Sequence, residues 1–318
     1  MKKGLWLFFS FLFLLSCSSE DDRDIYQSPQ NLIEQIKAID DISRFSEALE
    51  LCESDLSQSY PSITVLAPTN QALDAYLSDI GLQSFEELKA LLGADRYQAW
   101  LGSHFLPQAL KWEHMQIAYV PTLAHNPRGQ NIHSFTYREK SQIWINNQNL
   151  SWQEKNLEIT AGFLHKIDQI LPPATLNTHI KSNLLNFSIL HRALARTPNN
   201  LAVMLNQDDK LFTLFAPTDQ AFDRYFQTLG VSDLTGYLET YGAEQLESLL
   251  KKHIVPGSHN TEDLNNQSFN TLLTNQSLAI RVYNGVRFVI SEQDSSAINL
   301  QNITAYNGKL NILNEVLK

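Results

Sequence analysis

Thirteen residues of this chain occur twice. Thr64–Tyr76 (TVLAPTNQALDAY) returns as Thr213–Tyr225 (TLFAPTDQAFDRY), 149 positions on, with eight of the thirteen identical. The same offset pairs His104-Phe105-Leu106-Pro107 with His253-Ile254-Val255-Pro256, and Thr122-Leu123 with Thr271-Leu272. A constant offset held over this length means two copies of one structural unit, and it fixes how every other residue is read.

Each copy opens with an amphipathic helix: Ile42, Phe45, Ala48, Leu49 and Cys52 recur at helical spacing, and Leu190, Ala193 and Leu194 answer them in the second copy. Ile63–Leu66 is a short β-branched strand, stopped by Pro68, which has no N–H to give a ladder. Thr69 then caps a helix, with Asn70 or Asp219 in its positive first turn and Gly81 or Gly230 at its end. Phe85, Leu88, Leu91 and Leu92 read as a further helix, set against Leu246, Leu249 and Leu250. Beyond Val120 the pattern alternates. Ile132–Tyr137, Gln142–Asn146, Leu278–Val282 and Arg287–Ile290 read as strands, and each copy closes on one, Gly162–Leu171 or Gly308–Leu317. Helices first and strands later make an α+β unit. Pro172-Pro173-Ala174 is a short, stiff link between the copies.

Taken together, the Thr-x-x-Ala-Pro-Thr-Asn/Asp-x-Ala block, the His-x-x-Pro block and the closing Gly-x-x-His-x-Ile-Asp-x-Ile-Leu pattern resemble fasciclin-like domains, in two tandem copies covering nearly all of residues 31–318. The resemblance implies a β-wedge packed with helices in each copy, and adhesion or interaction rather than catalysis. The first copy departs from the closing pattern at Ala161, where Asn is usual. The second departs at Asn311, where His is usual, and Leu73 stands where Phe222 keeps the usual Phe.

The N-terminus reads as a targeting segment. Lys2 and Lys3 precede an apolar run from Leu5 to Leu15 that is too short to span a bilayer as a helix. Leu14-Leu15-Ser16-Cys17 resembles the lipobox of bacterial lipoproteins, with Cys17 as the lipid-attachment residue. The polar, acidic residues after it resemble surface-export signals of some Gram-negative lipoproteins. The expected organisation is a signal peptide at 1–16, a polar tether at 17–30, and domains at 31–174 and 175–318, lipid-anchored in the outer membrane and displayed at the cell surface. Acyl chains contribute about 0.8 kcal/mol per buried methylene, so a multiply acylated cysteine anchors a chain without a transmembrane helix. With Cys17 acylated, Cys52 is left alone and no intrachain disulfide is available.

Acidic residues outnumber basic ones, 34 to 24, and loss of Lys2 and Lys3 leaves 34 against 22, a charge of −12. No basic cluster exceeds Lys251-Lys252, which argues against nucleic acid and against adhesion to anionic lipid. Nine histidines include no His-x₃-His pair, and no cysteine pair supports them, so neither metal nor other cofactor is expected. Adjacent carboxylates such as Glu86-Glu87 and Glu262-Asp263 seldom converge on one cleft. No nucleophile elbow or phosphate-cradling loop occurs, so no catalytic residues are assigned.

The resemblance places family proposals for receptor contact near His104 and His253, which makes them candidate binding residues; that each repeats with its apolar neighbours favours a buried histidine that locks the loop before the proline. The tryptophans distinguish the copies. Trp100, Trp112, Trp144 and Trp152 all fall in the first, and none falls in the second. If Ile143 and Ile145 face the core, alternation turns Trp144 outward. Trp112, Trp144 and Trp152 are therefore candidate binding residues. The expected function is a non-enzymatic, lipid-anchored adhesion or interaction protein that binds an extracellular or envelope protein, or a glycan. The alternative is a glycan-capturing or scaffolding subunit of an outer-membrane nutrient-uptake assembly.

Overall fold

Each copy is organised around two parallel strands taken from opposite ends of its sequence. A computed structural model describes residues 32–52, 61–265, 267–292 and 294–318. The expected signal peptide, Cys17 and the expected tether lie outside the described residues. In the first copy the helices are α1 (Leu32–Lys37), α2 (Ser43–Glu50), α3 (Asn70–Asp79), α4 (Phe85–Leu92) and α5 (Ala94–Gly102). Its strands are β1 (Ile63–Pro68), β2 (Phe105–Leu106), β3 (Ala118–His125), β4 (Asn131–Glu139), β5 (Gln142–Ile145), β6 (Gln148–Asn149), β7 (Trp152–Ile159) and β8 (Gly162–Ile167). The second copy contains α6 (Leu176–Ser182), α7 (Leu184–Ala195), α8 (Leu201–Met204), α9 (Asp219–Leu229) and α10 (Leu234–Lys251). Its strands are β9 (Phe212–Pro217), β10 (Ile254–Pro256), β11 (Ser268–Asn270), β12 (Ser277–Tyr283), β13 (Val286–Ile290), β14 (Ser295–Ala305) and β15 (Gly308–Leu313).

β1 runs parallel to β8, from Ile63 opposite Gly162 to Pro68 opposite Ile167, and β9 runs parallel to β15 in the same way. All four strands but β8 are buried along their whole length, as strands covered on both faces must be. Alternation divides their side chains between two cores. Ile63, Val65, Ala67 and Leu164 pack against α1–α5 around Phe45, Phe85 and Trp100, while Leu66 and Ile167 meet Ile143 and Ile145 in the wedge. Phe212, Leu214 and Ala216, against Phe215 and Leu313, make the same division in the second copy. There one sheet runs β10-β9-β15-β14-β13-β12-β11, because β14 is long enough to pair with both β15 and β13. In the first copy the equivalent path breaks between β6 and β7, leaving two four-stranded sheets.

The repeated block is a joint. Thr69 and Thr218 cap α3 and α9 by accepting from the backbone N–H of Ala72 and Ala221, each at 3.3 Å. Asn70 and Asp219 do more than suit a first turn. Asn70 Oδ1 accepts from Arg44 N at 2.8 Å, and the Asp219 carboxylate accepts from Ser188 N at 3.0 Å and Ile189 N at 2.7 Å. Each thereby caps a neighbouring helical stretch, the start of α2 or the part of α7 that restarts after the non-helical Phe187.

One element reading is corrected. Phe85–Leu92 and Leu246–Leu250 are not equivalents. The offset of 149 pairs Leu246, Leu249 and Leu250 with Tyr97, Trp100 and Leu101 of α5. Two helical segments follow α3 or α9 in each copy, broken at Gly93 (φ +78°) and Gly242 (φ +81°), where the left-handed backbone favours glycine. Leu91, placed by its spacing on the packed face of α4, is 65% exposed. At the start of each closing strand, a Cβ on Gly162 or Gly308 would overlap the carbonyl oxygen of Ile63 or Phe212. No helix among the described residues is long and apolar enough to cross a membrane.

The linker leads straight into the second copy. Tyr306 N–H donates to Ala174 O at 2.8 Å, and Leu176 N–H donates to Asn307 Oδ1 at 2.9 Å. The two copies pack as one compact unit.

Candidate functional site

The four tryptophans do not form one surface. Trp100 is buried in the helical core, stacked with Tyr76 and Tyr97. Trp112 is half-buried under cations: the Arg138 guanidinium lies 4.5 Å and the Lys155 ammonium 3.8 Å from its ring centroid. Arg138 is held there by donating to Met115 O at 2.8 Å and to Trp112 O. Trp152 packs on the wedge core with the edge of His165 against its ring, 5.7 Å between centroids. Trp112 and Trp152, candidate binding residues from the sequence, are half-buried and hold these contacts within the chain.

Trp144 differs. Ile143 and Ile145 are buried in the wedge, and the pleat turns Trp144 to the other face. Across the ladder it pairs with Tyr137 of β4. With Tyr137, Glu139 and Asn147 it forms one wall of a groove of about 270 Å³. Ser182, Leu184 and Leu185, at the junction of α6 and α7 in the second copy, form the other wall. Leu185 is 58% exposed, a large apolar side chain left uncovered beside an aromatic one. Trp144 was legible from alternation. Leu184 and Leu185 were not, because nothing in their own sequence says that they face the first copy.

His104 and His253 are interior residues, 0% and 1% exposed, and the expectation of a contact surface at either is corrected. Nδ1 of each donates to the carbonyl four residues back, Trp100 O at 3.1 Å or Leu249 O at 2.9 Å. Nε2 of each accepts a backbone N–H from the far end of the copy, Leu171 or Leu317, both at 3.0 Å. A carbonyl can only accept and an N–H can only donate, so both rings are held as the neutral tautomer with the proton on Nδ1. Burial pushes both imidazoles down to about 4. Each histidine ties the chain before its proline to the residues after the closing strand.

The repeated block lines a second, larger depression of about 640 Å³. Four of its polar groups are committed within the fold. Thr69 and Asn70 cap helices, Asp41 pairs with Lys166 at 2.7 Å, and Asp168 accepts from Ser151 N at 2.8 Å. Among the described residues no three His, Cys, Asp or Glu side chains come together as a metal site.

This architecture defines a class, a tandem α+β repeat protein in which two wedge-and-helix units pack side by side. The chain belongs to the fasciclin domain family: the model of the Fasciclin domain matches residues 40–173 and 185–318. Fasciclin domains occur in adhesion and interaction proteins, and the family is generally non-enzymatic. The chain is also similar in fold to a solved FAS1 domain pair from the insect cell adhesion molecule Fasciclin I, at 16% identity and a TM-score of 0.50. That match covers 90% of this chain and 95% of the other, so it extends over both copies. No curated protein matches the chain.

Proposed function

We propose that this chain is a lipid-anchored interaction protein of the outer membrane, displayed at the cell surface, which holds an extracellular or envelope protein through the groove at Trp144. The groove carries the reading. It joins a half-buried tryptophan and a tyrosine to two exposed leucines, the kind of aromatic and aliphatic anchor that dominates protein–protein contacts. The anchor rests on the sequence around Cys17. Glycan capture beside a transporter is the second reading. Glu139, Asn147 and Ser182 offer it hydrogen-bonding partners beside the ring. A set of exposed tryptophans would have favoured it, and three of the four are occupied within the fold.

Proteinase treatment of intact cells tests display: the chain should be cut before lysis, and resistance until lysis would refute surface exposure. Cys17→Ser should release the protein from the membrane fraction. A photoreactive phenylalanine analogue replacing Trp144 should crosslink to a protein on intact cells, while the same group at exposed Val203 should not. Equal crosslinking at both positions, or none at either, would reject the groove as the contact.

A further inference from the structure

The groove exists only where the two copies meet, and that junction turns on Thr304 of β14. Three titratable side chains hold three different atoms of this one residue. Thr304 N–H donates to Nδ1 of His133 at 3.1 Å, Thr304 O accepts from Nε2 of His179 at 3.2 Å, and Thr304 Oγ1 accepts from Nζ of Lys309 at 2.8 Å. His133 belongs to β4 of the first copy; His179 in α6 and Lys309 in β15 belong to the second. Nδ1 of His133 can accept only while it carries no proton. Protonation would set an N–H against an N–H and add a cation to a cluster that already holds Lys309.

The surrounding groups do little to absorb that charge. Arg128, in the turn between β3 and β4, donates to Ser258 O across the junction and lies near enough to oppose the charge on Lys309. Asp263 and Glu262 are the carboxylates facing Lys309, and Glu262 is already paired with Arg287 at 3.1 Å. Tyr119 of β3 sets its ring against His179 and accepts from Asn183 Nδ2 at 3.1 Å. Burial pushes His133 down, as does the charge of Lys309, and burial pushes His179 down to about 4. Elsewhere in the junction Tyr119 packs against the helical core of the second copy, and the Arg96 guanidinium lies 6.0 Å from the Tyr306 ring centroid. Ala99, Ala124, Ile132, Ala174 and Tyr306 form the junction's apolar cluster, and Arg96 pairs with Asp208 at its exposed edge. Three of those five are alanines, which bury little apolar area at about 25 cal/mol per Å². Of the node's three hydrogen bonds that of His133 crosses from the first copy to β14, and His179 and Lys309 fix from within the second copy the residue that it holds.

We infer that His133, His179 and Lys309 around Thr304 form an acid-labile latch, which keeps the two domains docked at neutral pH and lets them part in acid without unfolding. The second part of the inference rests on the groove reading above: parting the domains separates Trp144 from Leu184 and Leu185, so a bound partner is released on acidification. The sign follows from the histidines. A ring whose proton affinity is depressed in the docked state favours docking fully above its ordinary value of 6.5 and loses that contribution as the pH falls below it, in the case of His179 toward about 4.

The test uses the full chain in detergent with Cys52→Ala and spin labels on cysteines at exposed Leu91 and Val203, one in each domain. Electron–electron resonance should give one narrow distance at pH 7.5 and a broader, longer distribution at pH 4.5, with the helical circular dichroism retained. His133→Asn, whose Oδ1 takes the place of Nδ1 and can accept from Thr304 without titrating, should keep the narrow distance at pH 4.5. The latch is overturned if the distance does not change with pH, if it changes only as the circular dichroism collapses, or if His133→Asn opens at the wild-type pH. Trp144→Ala should leave the opening pH unmoved. Because opening is read with no partner present, failure of the latch and failure of the groove reading give separate results.

Discussion

His165 in β8 and Asn311 in β15 occupy the same place in the two copies and do the same task unequally. Each accepts the backbone N–H of an asparagine held in the left-handed region, Asn156 at 3.1 Å or Asn302 at 2.9 Å. Those asparagines in turn accept from the backbone of Trp112 or Thr261 and donate to Glu113 or Glu262. His165 spends its other nitrogen on Leu110 O at 3.0 Å, whereas Asn311 Nδ2 is buried with no partner. The acceptor that the backbone requires is present in both copies, and the second donor is used in only one. Groups that satisfy buried backbone thus recur across the repeat even when the residue type changes. Surface groups have no such tie, and the second copy contains no tryptophan to answer Trp144.

The comparison can be broken most severely at the glycines. Gly162→Ala and Gly308→Ala drive a methyl into a backbone oxygen, and each should destabilise its copy by about 3 kcal/mol or more in urea unfolding. A cost under about 1 kcal/mol at either would show that the parallel strand pair tolerates separation.

Next come the two buried histidines. His104→Ala and His253→Ala each leave a buried carbonyl and a buried N–H unpaired beside a cavity, for an expected cost of about 2–4 kcal/mol, similar in both copies. Wild-type stability should also fall with acidification. Both rings are depressed to about 4 from an ordinary 6.5, so their contribution is complete above 6.5 and is lost as the pH falls toward 4. A urea midpoint that held constant from pH 7 to pH 4.5 would contradict their placement.

The loop exchange is subtler. His165→Asn should cost about 1–2 kcal/mol by removing the bond to Leu110 O, and Asn311→His should cost nothing or gain up to about 1 kcal/mol. Thermal melts of the two variants, read side by side, would reverse the argument if Asn311→His proved the more damaging.

Much of the fold was legible because it is local. The Thr caps, the proline that ends each opening strand and the alternation that turns Trp144 outward each depend on a few neighbouring residues. What stayed hidden depends on distant pairs. Asn70 and Asp219 cap helices some 30 residues earlier in the chain, and His104 meets a backbone N–H 67 residues away. The break at Gly93 and Gly242 was missed because two helices on one face present a continuous apolar pattern, and Leu91 misled for the same reason. The wall of Leu184 and Leu185 belongs to tertiary structure alone. Trp112 and Trp152 looked free because nothing in the sequence places Arg138, Lys155 or His165 against them.

The central claim is that the shared residues hold the fold while Trp144, unique to the first copy, makes the contact. Binding of the purified chain to intact cells, with the melting temperature measured on the same preparations, tests it most directly. Trp144→Ala should weaken binding about thirty-fold, the loss expected for an anchor worth about 2 kcal/mol, while the melting temperature stays within a few degrees of wild type. Wild-type binding by Trp144→Ala would contradict the claim, as would a loss of binding seen only in variants that also unfold.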